Sequence, residues 1–100
     1  DAVFAASDLM AIGAMRATRE AGLRIPEDVA FVGFDDVSVA MYATPQLTTI
    51  RQPITSFGIT AVETLIDLIE NSIEPPRRII MDTELIIRDS CGASRRRKDL

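Results

Sequence analysis

Two short apolar runs on either side of one helical stretch constrain this chain more than any other feature. Residues 2–6 form an apolar run ending at Ser7 and Asp8, both good helix N-caps, and read as a buried strand that delivers the chain to a helix. The helix runs from 8 to about 21. Its apolar positions Leu9, Ile12, Gly13 and Ala17 recur at helical spacing, and Gly22 follows, where glycine commonly takes the left-handed conformation that ends a helix. After a connector punctuated by Pro26, residues 29–34 (VAFVGF) are nearly all apolar and β-prone, as in a strand buried on both faces of a parallel sheet. Strand, helix and strand within about 30 residues make a βαβ unit, so the expected fold class is α/β with a parallel sheet.

Further along, residues 37–43 read as a short helix or turn and residues 47–51 as a brief β-prone run. Pro53 sits where a helix can begin, and Ile54, Phe57, Gly58, Ala61, Val62, Leu65, Leu68 and Ile69 trace a helical stripe that Ile59 and Ile66 widen. A helix this apolar needs partners on more than one side. Residues 71–76 end it, and 78–81 and 84–88 read as two short β segments. The whole has 100 residues, 47% apolar and 26% charged, enough to bury a core as one small domain or part of a larger one. It opens at Asp1, inside an apolar run, which leads us to expect a fragment or a processed chain.

Missing residue types narrow the chemistry. With no histidine, the chain lacks the commonest general base and transition-metal ligand, which excludes hydrolase triads and zinc sites. Cys91 is the single cysteine, so no disulfide framework is possible within the chain. No stretch approaches the ~20 apolar residues of a membrane span. Residues 1–94 carry a net charge of −7 and residues 95–100, with Arg95, Arg96, Arg97 and Lys98, carry +3. A body this acidic repels phosphate backbones, and the tail, 92–100, reads as a solvated, disordered terminus.

Ligands of open α/β sheets lie beyond the C-terminal strand ends. Two such ends are polar here, Ser7-Asp8 and Asp35-Asp36. Three readings stand: all four residues cap helices; a carboxylate grips the hydroxyls of a polyol or sugar; or Asp8, Asp35 and Asp36 hold Mg²⁺. The last lacks its customary lysine, since Lys98 is far off in the tail. There is no glycine-rich phosphate loop. Met10, Met15 and Met41 with Tyr42 read either as a partner surface or as core.

Three motifs, AASDLMAIGAMRATREAGLRIPEDVAFVGFDD, TPQLTTIRQP and TELIIRDSC, occur in this order. Together they resemble the C-terminal part of the effector-sensing domain of LacI/GalR-type transcriptional regulators over residues 1–91. That resemblance implies a type I periplasmic-binding-protein-like fold. Residues 1–52 and 83–91 would belong to the C-terminal lobe and 53–82 to the N-terminal lobe, with hinge crossings between them. It implies effector contacts from Asp35, Ser7 (often Asn in the family) and Gln52, with Asp8 and Asp36 as structural caps. A homodimer interface would include Met10, Ile12, Met41 and Tyr42. No metal, cofactor or catalytic residue is implied. The partners would be a small-molecule effector, a second copy and, through a helix-turn-helix outside this chain, operator DNA. The expected location is cytoplasmic, with no membrane contact. The alternative of the same fold is a periplasmic sugar-binding protein of an ABC transporter.

Overall fold

A computed structural model describes residues 1–70 and 78–93. The order of elements is β1 (Ala2–Phe4), α1 (Asp8–Glu20), β2 (Ala30–Asp35), a 3₁₀ turn (Ser38–Tyr42), β3 (Thr48–Arg51), α2 (Ile54–Glu70) and β4 (Glu84–Ile86). The chain divides into two compact units, Asp1–Arg51 with the residues from Glu84 onward, and Gln52–Thr83.

The first unit is built on a four-stranded sheet in the order β1-β2-β3-β4. β1 and β2 run parallel, as do β2 and β3, whereas β4 is antiparallel to β3. The sheet is therefore mixed rather than wholly parallel. Residues 52–83 leave from the C-terminal end of β3, and β4 begins with Glu84 opposite Arg51 at that same end, so it can only run back.

α1 starts where its sequence says it should. Ser7 is the N-cap, its hydroxyl accepting from the Met10 N–H, and Gly22 follows the helix at φ +84, a conformation that costs a residue without Cβ little. The face it buries differs from the expected stripe: Asp8, Ala11 and Met15 point inward, while Leu9 and Met10 are exposed. Ala11 and Met15 pack with Phe31, Ala5, Ala40 and Leu47, with Ile12 partly buried beside them. The face begins with a carboxylate, which a stripe of apolar residues alone cannot reveal.

β1 is the edge strand of the described sheet and is exposed along its length, contrary to the buried strand expected from 2–6. Its short apolar residues look like those of an interior strand, but burial also needs a neighbour on its outer side. In β2, Phe31 and Gly33 are buried and their neighbours half-buried. Ser90 is fully buried, its hydroxyl donating to the Phe31 carbonyl at 2.6 Å and accepting from the Thr48 N–H at 2.9 Å.

In the second unit, α2 buries none of its residues. Phe57, Ala61, Leu65 and Leu68 line an apolar groove with Ile79 and Met81. The segment 78–81 is not a strand, contrary to expectation: no strand of this unit among the described residues offers it a ladder. The expected helix end at 71–76 lies outside the described residues, as does the tail from 94. No described helix is long and apolar enough to cross a membrane.

Candidate functional site

Because β1, β2 and β3 are parallel, their C-terminal ends share one edge of the sheet. Ser7 follows β1, Asp35 ends β2 with Asp36 after it, and Arg51 ends β3 in register with Asp35. Ser7 and Asp35 are both half-buried at this edge. The cap bond from Met10 to the Ser7 hydroxyl, 3.2 Å, uses one lone pair, and a hydroxyl retains a proton to donate and a second lone pair. Gln52 is not part of this group of strand ends. It opens the second unit, where its carbonyl accepts from the Ile54 N–H at 2.9 Å.

The backbone at Asp35 and Asp36 is unusual. Asp36 has φ +57, in the left-handed region that aspartate tolerates better than most residues, but Asp35 has φ +112, which is essentially glycine territory. Holding a residue with a Cβ there costs about 1 to 3 kcal/mol, and it persists only where its surroundings leave no alternative. Here strain coincides with a carboxylate at the ligand-binding edge of an α/β sheet.

The surroundings are polar, and Asp8 and Thr49 among them are buried. Asp8 Oδ2 accepts from the Val37 N–H at 2.8 Å, and its Oδ1 accepts from the Thr49 hydroxyl. Contrary to the expected cap, Asp8 therefore fastens the chain just before the 3₁₀ turn to β3, and Ser7 caps the helix. Gly33 makes room for it: a Cβ on Gly33 would overlap Asp8 Oδ1 and come within 3.0 Å of Leu47 Cδ2. Asp36 is not a cap either. Its Oδ2 lies 2.7 Å from Arg51 Nε and its Oδ1 lies 2.9 Å from an Arg88 terminal nitrogen. Both oxygens of Asp36 are thus committed to guanidinium groups, and both of Asp8 to protein donors, so neither suits the Mg²⁺ reading. Among the described residues no group of three or more acids or cysteines could hold a metal ion.

Arg51, Arg88 and Thr49 escaped sequence reasoning because they meet the strand end from 13 to 52 positions away, a proximity set only by strand register. A hint was present: adjacent acids at the half-buried end of an apolar strand call for cations. Burial pushes the Asp36 pKa up, but hydrogen bonds and charges from Arg51 and Arg88 outweigh it and hold the group below the ordinary carboxylate value. The folded state then binds this proton less readily than the unfolded one. The contribution of Asp36 to stability is complete above about pH 4 and is lost as the pH falls through the lower folded value. Thermal melts of the intact protein across this acid range should show a flatter decline in Asp36→Asn than in the parent; superimposable slopes would refute the linkage.

Of the expected interface residues, Met10, Met41 and Tyr42 are exposed, Tyr42 at 78%, whereas Ile12 is partly buried against the core.

Residues 1–91 match the family described as periplasmic binding protein-like domain. The chain belongs to that family. Within it, the chain is 46% identical over 90 residues to the HTH-type transcriptional regulator CelR of Thermobifida fusca, covering 90% of this chain and 26% of the relative. A solved transcriptional regulator CelR–cellobiose complex superposes with a TM-score of 0.83 at 46% identity, over 90% of this chain and 28% of that one. A lac repressor dimer bound to operator and the anti-inducer ONPF gives a TM-score of 0.81 at 36% identity, over 90% of this chain and 31% of that one. These matches bear out the resemblance to LacI/GalR-type regulators and the periplasmic-binding-protein-like α/β fold. The chain spans about a quarter of the curated relatives it matches.

Proposed function

We propose that this chain is part of the effector-sensing domain of a DNA-binding transcriptional regulator, and that a sugar, related polyol or nucleoside binds at the strand ends carrying Ser7 and Asp35. The observation that carries this reading is Asp35 itself, a half-buried carboxylate held at φ +112 on the C-terminal strand edge. An ionised carboxylate accepts hydrogen bonds from neighbouring hydroxyls, and the Ser7 hydroxyl both gives and takes them. A relative solved with cellobiose and another solved as a dimer on operator support the sugar, the second copy and the DNA.

In this reading residues 1–52 and 83–91 belong to one lobe and 53–82 to the other, with Gln52 beside the cleft. Effector between the lobes favours one interlobe geometry, and its differential affinity for the two states biases a helix-turn-helix outside this chain. Met10, Met41 and Tyr42 supply part of a homodimer surface. The protein is non-catalytic and cytoplasmic. Relatives that are regulators favour this over a transport component of the same fold.

Calorimetric titration of the intact protein with cellobiose, ribose and a panel of other mono- and disaccharides and nucleosides tests the proposal. Saturable binding that shifts operator affinity is expected. Binding of a panel member that leaves operator affinity unchanged would refute sensing.

The isolated 100-residue chain should self-associate, because Ile54, Ile59, Val62, Leu65, Ile66 and Ile69 of α2 are all exposed. Sedimentation showing a clean monomer, with a cooperative melt, would contradict the assignment of 53–82 to a second lobe.

A further inference from the structure

Asp36 has no ligand role in the reading above, yet its ties are extensive. Besides the ion pairs to Arg51 and Arg88, its backbone N–H donates to the Thr49 hydroxyl at 3.3 Å, and its side chain is only 8% exposed. Arg88 is anchored in turn, one terminal nitrogen donating to the Leu47 carbonyl at 2.9 Å. All these partners lie on β3, next to it, or just after β4. The turn that ends β2 is therefore held by segments other than its own.

Such ties are what the backbone conformation requires. Asp35 and Asp36 both have positive φ, and neither is the glycine that would adopt it freely. They share one planar peptide unit, so anchoring Asp36 fixes the plane on which the Asp35 Cα sits and narrows the directions open to its side chain. Resting on the reading of Asp35 as an effector contact, we infer that Asp36, Arg51 and Arg88 are positioning residues that aim the Asp35 carboxylate at the ligand. A carboxylate aimed in advance binds hydroxyls with less ordering to be done at the moment of binding. The placement of the two arginines adds to this. Arg51 is the last residue of β3 and Arg88 comes just after β4, so one acid ties both of these parts of the first unit to the end of β2.

The test is a double-mutant cycle in the intact protein, with cellobiose and ribose as probes. Asp36→Asn keeps a side chain that tolerates the left-handed region but removes the charge. With Asp35 present it should weaken sugar binding about tenfold, and in an Asp35→Ala background by less than about twofold, because its effect passes through Asp35. Arg51→Gln, at a side chain 51% exposed, carries the same comparison should Asp36→Asn fail to fold, and Arg51→Lys should restore most of the lost affinity. Equal losses in both backgrounds, or unchanged affinity in folded Asp36→Asn and Arg51→Gln, would overturn the positioning role while leaving the Asp35 contact standing. Unchanged affinity in Asp35→Ala alone would instead remove the effector contact, and this inference with it.

Discussion

Asp35→Ala in the intact protein is expected to weaken effector binding by about 1.5 to 3 kcal/mol for each charge-assisted hydrogen bond lost, roughly 10- to 150-fold in Kd. Folding should survive, since Asp35 sits at the surface edge of the sheet and not in the core cluster. A companion variant separates ligand contact from backbone strain. Asp35→Gly also removes the carboxylate but accepts φ +112 without a Cβ penalty, so it should be more stable than Asp35→Ala by about 1 to 2 kcal/mol while binding no better. Calorimetry gives the first quantity and urea denaturation the second. Wild-type affinity in both variants would take Asp35 out of the site, and greater stability in Asp35→Ala would refute the strain argument.

The largest effect on folding is expected at Gly33. An added methyl would overlap the Asp8 carboxylate and lie 3.0 Å from Leu47 Cδ2 and 3.3 Å from the Asp8 Cα, and both of these neighbours are buried. Asp8 cannot swing aside without abandoning the Val37 N–H and the Thr49 hydroxyl. Overpacking costs about 1 to 3 kcal/mol, occasionally more, and each buried donor left unpaired adds about 1 to 3 kcal/mol. Gly33→Ala should therefore lose about 3 kcal/mol or more in urea denaturation. In an Asp8→Ala background the methyl enters vacated space, and its incremental cost should fall by more than half. Strictly additive losses would show that Gly33 is not there to admit Asp8.

These two positions show where reading along the chain succeeded and where it stopped. VGFDD announced both a strand and a polar strand end, and the resemblance singled out Asp35. Nothing in those five residues announced that Asp36 would be shared by two arginines or that Gly33 faces an acid from the preceding helix. The same limit turned the buried face of α1: Leu9, Ile12, Gly13 and Ala17 satisfy helical periodicity, yet Asp8, Ala11 and Met15 are the residues inside. Periodicity weighs a side chain by its polarity, whereas burial depends on whether its polar atoms find partners. Asp8 finds two, so it can occupy a core position that its charge would otherwise forbid.

What the sequence by itself determined is local: the βαβ order, the cap at Ser7, the left-handed stop at Gly22, the helical stripe after Pro53 and the motifs of the family. Each rests on contacts within a few residues, or on backbone preferences that neighbours along the chain already reveal. Tertiary structure alone decided that β4 runs antiparallel, that β1 is exposed, that 78–81 forms no ladder, and that Asp36 meets Arg51 and Arg88. These depend on register and on which element lies alongside another, and they join residues as much as 52 positions apart through bonds that no short stretch of sequence encodes.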